Sequence, residues 1–560
     1  MSRGRVGILH SVTNQFRISR MSTSPKQLHF IRVLASALAL TGGSVYASAA
    51  AADHTAAAQA LYRNGILPSG TLLIGTREDG AGVAGKHAAC ASCHRRSGLG
   101  MSEGRIVTPP ITGHYLFNPG DRPAPEEESN PLAAAAYSRV RYTDATLARA
   151  IRRGLGPTGK PLSPLMPHFA LDDATMSLLI DYLRTLSSAA APGVETDTLH
   201  FATIVTPDAD PEHARAMLEV LNDFFDNKDA YYRGKAPPLH ASRRIHYRVL
   251  RRWQLHVWTL TGAPDTWEAQ LRAKLNAEPV MAVVSGISGR TWEPVHHFCE
   301  REQLPCLLPN VDLPVVHSGD FYTVYFSAGV LLEAELLAAR LPAGTRHVVQ
   351  VYRENDIGAA AAQSFPAADG IKVDNYSLKP AADAAQIAAA AAHAGAGDAL
   401  ILWLRSEDLR QLPVAASPAS TWISGLMGGL EHAPLPAAWL ATAHLSYPFD
   451  LPEQRSLRMT WPLTWFKTQR IQVTDERTQV DTYLSCVILA ESVGALWGNF
   501  VRDYLLETYE NMLSFRTLNA YYPHLSLGPG QRFASKGGYI VHFADAAGTT
   551  VVKDGEWVVP

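Results

Sequence analysis

The sequence predicts a multidomain chain in which a small all-α domain is followed by a larger α/β domain. Three observations predict it. The 560 residues exceed what one hydrophobic core organises and allow roughly three to five folded units at about 100–200 residues each. Before residue 187 the apolar residues recur at helical spacing. Thr143-Asp144 caps a helix through Leu147 and Ile151 that stops at Gly154, and Asp172-Asp173 caps one in which Leu179, Leu183 and Leu186 share a face. Beyond a small-residue linker, SSAAAPGV, strand-like runs at residues 200–205, 280–284, 347–352 and 399–404 alternate with helical patterns at 211–226, 265–276, 331–341 and 382–393. Strand, helix, strand at this spacing means βαβ units and a parallel sheet with helices on both faces. The expected boundaries are 53–187 for the first domain, 188–197 for the linker and 198–560 for the second.

Composition narrows the function classes. Fifty basic residues stand against 52 acidic ones, a net charge of -2, so there is no electrostatic footprint for nucleic acid. Five cysteines are too few for a disulfide-built scaffold. Residues 1–49 read as an export signal with a true start at Met21. Lys26 and Arg32 provide the positive region, VLASALAL the apolar core and Ala47-Ser48-Ala49 the cleavage pattern. Gly42-Gly43 interrupts the apolar run early, and a spanning helix needs about 20 such residues. The expectation is a periplasmic protein without a transmembrane anchor once the signal is cleaved, in an oxidising compartment.

One motif is sharp. Cys90-Ala91-Ser92-Cys93-His94 is C-x-x-C-H: two thiols three positions apart can add to the vinyl groups of one porphyrin while the histidine ligates its iron. In an exported chain this points to one covalently attached haem c. Zinc would call for a second CxxC or a nearby histidine pair.

The surroundings strengthen that reading. Over about residues 55–187 the chain resembles class I c-type cytochromes, on CASCH, on the turn Thr108-Pro109-Pro110-Ile111-Thr112-Gly113, and on Pro164-Leu165-Met166-Pro167 ahead of the last amphipathic helix. The resemblance implies a proline-loop carbonyl that accepts the axial histidine's N–H. Pro109 or Pro110 would supply it, Pro110 being the residue assigned. It implies Met166 as the distal iron ligand opposite His94, with His168 as the rival. The segment from Asn118 to Asn130, with Glu126, Glu127 and Glu128, reads as a solvated surface insertion.

Residues 198–560 resemble the type I periplasmic binding proteins, the two-lobed receptors of branched-chain amino acid uptake. The resemblance rests on the strand–loop–helix stretch Val283-Val284-Ser285-Gly286-Ile287-Ser288-Gly289 and, loosely, on Asp356-Ile357-Gly358. It implies two lobes and a loop whose N–H groups and hydroxyls meet an anionic ligand group. Ser285 and Ser288 are the implied contacts. Cys299 and Cys306 flank a helix end and a strand start, and in an oxidising compartment they are read as a disulfide. Cys486 sits in an apolar helical run as a core residue. Residues 537–543 and 549–559 read as a terminal β-ribbon turning at 545–548. The histidines, including His296 and His297, fall in no metal-ligand spacing.

The functional expectation is an electron carrier rather than a catalyst. One haem with both axial positions filled exchanges electrons with a periplasmic dehydrogenase or terminal acceptor, while the larger domain docks a partner or binds a small molecule. The alternatives are a solute receptor with an accessory haem domain and a haem enzyme such as a peroxidase.

Overall fold

The computed structural model describes residues 54–103, 106–118, 140–233, 251–516, 519–528, 530–545, 547–548 and 550–560. The export signal over 1–49 and the acidic residues Glu126 to Glu128 lie outside them. The chain packs as two units, one of residues 54–93 and 140–184, the other of residues 94–118 and 185–560.

The smaller unit is not all-α. A helix over 54–64 precedes β1 (Ile74–Thr76) and β2 (Gly82–Ala84). After the hairpin β3–β4 (Met101–Glu103, Ile106–Thr108), which packs in the larger unit, come helix Asp144–Arg153, β5 (His168–Phe169) and helix Asp173–Thr185. The order β2-β1-β5 makes a small antiparallel sheet. Its physical origin is the turn at Asp79-Gly80: Gly80 has φ 84°, its N–H donates to the Arg77 carbonyl at 3.0 Å, and Asp-Gly is a strong short-range hairpin signal. The expected caps are present. The Thr143 hydroxyl accepts from the Thr146 N–H at 3.2 Å, and Gly154 ends that helix at φ 64°. Tyr62 and Tyr182, with ring centroids 5.4 Å apart, join the first and last helices.

The larger unit holds two sheets. The first, ordered β10-β9-β8-β6-β7, is wholly parallel. It comprises β6 (Thr198–Val205), β7 (Arg252–Thr259), β8 (Ala282–Val284), β9 (Cys306–Leu307) and β10 (Thr323–Val324). The second, ordered β12-β11-β13-β14-β15-β16-β17, is parallel from β12 to β15 and antiparallel in its last two pairs. Its strands are β11 (His347–Arg353), β12 (Lys372–Leu378), β13 (Ala399–Trp403), β14 (Ser420–Ile423), β15 (Ala443–Tyr447), β16 (Tyr539–Phe543) and β17 (Val551–Lys553). The expected ribbon is thus the edge of a seven-stranded sheet. Strand β7 escaped the sequence reading because RWQLHVWT alternates at a sheet edge and carries charge, whereas β13, ALILW, is buried along its whole length.

The chain crosses between the sheets after β10, after β15 and before β16. Between the last two crossings it contributes helices Pro452–Gln469, Glu476–Gly494 and Arg502–Phe515. These pack on the first lobe, where Trp465 meets Phe224 and the Ser485 hydroxyl donates to the Leu307 carbonyl. At the crossings Phe326 stacks on Tyr522, centroids 5.1 Å apart, and Phe449 meets Tyr521 and Tyr522.

In the second lobe Glu333 is wholly buried and ties three elements together. Its carboxylate accepts from the Leu426 N–H (2.9 Å), the Ser446 hydroxyl (2.8 Å) and the Ser424 hydroxyl. Burial pushes this carboxyl up to about 7 against the hydrogen bonds that pull it down. The folded chain therefore keeps a proton that an unfolded carboxyl releases near pH 4.3. The stabilisation this gives is complete below that pH and is lost as pH rises through 7. Glu333→Gln retains an acceptor and adds a donor. Its stability relative to wild type should rise by on the order of 2–3 kcal/mol between pH 4.5 and pH 8. Denaturant unfolding at the two pH values measures this, and equal differences at both would contradict it.

Candidate functional site

The C-x-x-C-H residues begin in the smaller unit and end in the larger. Cys90 is half-buried and Cys93 exposed, both with free thiols. Burial pushes the Cys90 thiol up to about 12, the reverse of what a redox-active dithiol needs. His94 is buried, and its Nδ1 lies 2.9 Å from the Pro109 carbonyl. The acceptor is thus Pro109, one residue before the assigned Pro110. The intervening loop explains the choice. Gly100 donates to the His94 carbonyl and Ile111 to the Gly98 carbonyl, while β3 and β4 pair so that Met101 faces Thr108. Gly100 has φ 77°, and a Cβ there would sit 2.1 Å from the Thr108 carbonyl. Hairpin register therefore brings the Pro109 carbonyl back to the ring. A ring held through Nδ1 presents Nε2 as its ligating nitrogen, so these residues fit a c-type haem.

The segment after the motif is fastened to helix Arg502–Phe515 of the same unit. Ser97 donates to Glu507 through its N–H (3.0 Å) and its hydroxyl (2.6 Å). Arg95 reaches Glu510 at 3.2 Å, and the Arg96 guanidinium lies 3.9 Å over the Phe321 ring. Burial raises the Glu507 carboxyl to about 7, while Arg95 and the Ser97 donors oppose the rise. These partners lie about 400 residues away in sequence, and no local pattern announces them.

In the smaller unit, Met166 is half-buried and closes a turn in which its N–H donates to the Ser163 carbonyl. Its rival His168 lies in β5 with its ring against Gly154, where a Cβ would stand 2.2 Å from Nε2. That packing commits the His168 ring to the end of helix Asp144–Arg153.

A cleft of about 1270 Å³ lies between the lobes of the larger unit. Its walls are the segments that follow the carboxyl ends of the parallel strands: Asp208 after β6, Ser288 to Arg290 after β8, Asn310 and Asp312 after β9, Glu354 to Asp356 after β11, Arg405 to Asp408 after β13. Open parallel sheets place ligand sites there, because loops and helix N-termini converge at that end. Ten Asp and Glu side chains line it against four Arg. Three of the arginines are ion-paired: Arg405 with Asp356 (2.6 and 2.7 Å), Arg477 with Asp312 (2.8 and 3.1 Å) and Arg353 with Asp408 (2.6 and 2.8 Å). Burial by itself would raise the carboxyls of Asp356 and Asp312, but their guanidinium partners hold both below the usual range. Arg405 also donates to the Gly289 carbonyl across the cleft at 3.0 Å. Among the described residues, the buried Oδ2 atoms of Asp208 and Asp475 have no hydrogen-bond partner.

The two serines behave differently from each other. Ser288 lines the cleft, its hydroxyl donating to the Thr291 carbonyl at 2.6 Å. Ser285 is wholly buried behind the wall, where its hydroxyl accepts from Asn310 at 2.9 Å. Its φ is 54°, and its hydroxyl holds the amide of Asn310, which lines the cleft. Cys299 and Cys306, read as a disulfide, are both buried and stand side by side as two thiols, with Cys299 in hydrogen-bond contact with Cys306. Cys486 is wholly buried, as expected.

No family model matches the chain, and no curated protein matches it. Solved structures similar to it include transporter substrate-binding proteins. A fatty acid ABC transporter substrate-binding protein from Thermomonospora curvata is 16% identical, with TM-score 0.48 over 66% of this chain and 95% of that one. A substrate-binding periplasmic protein from Ralstonia solanacearum is 11% identical, with TM-score 0.48 over 64% and 100%. A branched-chain amino acid transporter substrate-binding protein from Streptococcus pneumoniae, solved with isoleucine, is 12% identical, with TM-score 0.46 over 65% and 100%. Among the described residues no helix is long and apolar enough to cross a membrane.

Removing Arg405 leaves Asp356 partly buried without its partner. Arg405→Gln should cost about 2 kcal/mol, less than a fully buried pair because the guanidinium is about one-third exposed. Adding Asp356→Asn should recover most of that loss. Thermal unfolding of both variants tests the pairing, and additive losses would argue against it.

Proposed function

We propose that the protein is a periplasmic receptor for a small polar solute and that it carries one covalent haem c. The observation that supports the receptor reading best is the cleft: the parallel strands of two sheets turn their carboxyl ends toward one space, and Arg405 already reaches across it. The charge pattern favours a solute bearing a positive group rather than the anion implied by the serine loop. Arg405, Arg477 and Arg353 are neutralised by their own partners, while Asp208 keeps an acceptor atom without a hydrogen-bond partner and the matching oxygen of Asp475 has the His213 ring 3.7 Å away, beyond hydrogen-bond reach. A buried acceptor without a partner costs about 1–3 kcal/mol, which a ligand ammonium would recover on binding. Asp475 also caps helix Glu476–Gly494 through its other oxygen, which receives the Thr478 N–H, so the carboxylate is held in place.

The haem part of the proposal rests on CASCH and on the His94–Pro109 contact. Cys90 and Cys93 would anchor the porphyrin, His94 would ligate iron through Nε2, Pro109 would orient the ring, and Met166 would be the far ligand. When bound, haem c supplies a one-electron ferric/ferrous couple. That same contact favours a second reading, in which the chain carries electrons to or from a periplasmic dehydrogenase or terminal acceptor and the cleft serves docking.

Two experiments test these readings. Titration of the full-length protein with small amines and carboxylates, followed by thermal shift, should give saturable stabilisation by an amine. A hundredfold excess over Kd stabilises by about 2.7 kcal/mol. Asp475→Asn should weaken the affinity about tenfold, whereas stabilisation by carboxylates alone would reverse the assignment. Separately, protein exported in a strain with haem-attachment machinery should keep a peroxidase-active stain on a denaturing gel. Cys90→Ala with Cys93→Ala should abolish the stain, and Met166→Ala should erase the near-infrared sulfur-to-iron band. An unstained wild type would remove the haem from the proposal.

A further inference from the structure

On the first lobe, away from the cleft lining, three histidines and a carboxylate converge. Helix Glu293–Arg301 carries His296 and His297. Neighbours on a helix point about 100° apart, so His296 turns inward and is wholly buried while His297 is about half exposed. The segment before β10 then comes back over the helix. Glu300 fixes its path by accepting the backbone N–H groups of Phe321, Tyr322 and Thr323 at 2.7–2.9 Å. This return sets His317 and Asp320 beside the helical pair.

The ring nitrogens of His296, His297 and His317 that face one another all lie within 4.8 Å, and the His297 and His317 rings stack with centroids 5.1 Å apart. Asp320 Oδ2 is 2.9 Å from His296 Nε2 and 3.8 Å from His317 Nδ1. Bonds of about 2.0–2.1 Å in a tetrahedral zinc site put donor atoms roughly 3.3 Å apart, a value these two distances straddle. We propose that His296, His297, His317 and Asp320 form a zinc site that fastens the segment before β10 to helix Glu293–Arg301.

The layer behind the donors suits this. The Tyr325 hydroxyl lies 2.9 Å from His296 Nδ1. A ring whose Nδ1–H donates to that hydroxyl oxygen offers an Nε2 lone pair to a metal, and such outer partners orient ligating histidines and raise their basicity. Glu300 is occupied by three backbone donors on its two oxygens, whereas Asp320 takes one, the His317 N–H on Oδ2, so Asp320 is the carboxylate with capacity left for a metal. The three imidazoles form one group of facing donors and Asp320 joins through His296; four protein ligands would leave no open position, which makes the proposed role structural. His297 and His317, about half exposed, leave the ion a path from solvent.

The test uses full-length protein with any affinity tag removed, stripped with chelator and titrated with Zn²⁺ against a chromophoric competitor. Cys90→Ala with Cys93→Ala in every sample excludes zinc held by those thiols. The expected result is one Zn²⁺ per chain, a raised unfolding temperature with zinc, and an affinity at least tenfold weaker in His297→Ala or His317→Ala. Both substitutions lie on exposed side chains, and unchanged unfolding temperatures without zinc would show that the fold survives. Uptake well below one equivalent at micromolar free zinc, or uptake unaltered in the His297→Ala/His317→Ala double variant, would overturn the proposal.

Discussion

Parallel strand pairing is the constraint on which the larger unit depends. A parallel pair cannot be joined by a tight turn, so each strand must be followed by a crossover, here mostly helical, that returns the chain to the same edge of the sheet. All carboxyl ends of one sheet then lie on one side, and so do the loops that follow them. With β6 to β10 in one sheet and β11 to β15 in another, the chain has two such edges, and three crossings bring them face to face. Residues distant in sequence meet because each follows a strand: Gly289 comes after β8 and Arg405 after β13.

Charge in that space is arranged in two layers. Two of the four arginines that reach it arrive with carboxylate partners from neighbouring strand ends, Asp356 for Arg405 and Asp408 for Arg353. Guanidinium and carboxylate planes match two bonds at a time, so the pairs hold the loops in register as well as neutralising them. Among the carboxylates outside these pairs, Asp208 and Asp475 are each held by a local hydrogen bond at one oxygen, and their second oxygens have no hydrogen-bond partner among the described residues.

Much of this was legible in the sequence, and the rest was hidden for definite reasons. The buried strands β6, β11 and β13 announce themselves as apolar runs, and Thr143 and Gly154 mark helix ends because capping is local chemistry. The hairpin at Asp79-Gly80 was equally local; the signal was present and was outweighed by the helical pattern around it. The different burial of Ser285 and Ser288 was not legible, because a motif shows which residues share a loop but not which of them its backbone turns inward. His296, His297 and His317 could not be gathered from spacing, since His317 lies 20 positions after His297 and the return of that segment depends on Glu300 receiving three backbone N–H groups.

The segment that carries His94 illustrates how such long-range contacts decide mechanics. Its hydrogen bonds to Glu507 place it on helix Arg502–Phe515. That helix is itself fixed to the first lobe, because Arg502 donates to the carbonyls of Val280 (2.6 Å) and Glu302 (3.1 Å). Leu99 and Tyr115 pack with Tyr504 on the same helix. The motif loop is therefore tied to the first lobe by two routes, helix Arg502–Phe515 and the Arg96 contacts with Phe321 and Tyr322. When two lobes close about a hinge, a group fixed to one of them keeps its environment while the other lobe moves. A hinge motion of that kind would leave the His94–Pro109 contact in place, because both of its residues travel with the first lobe.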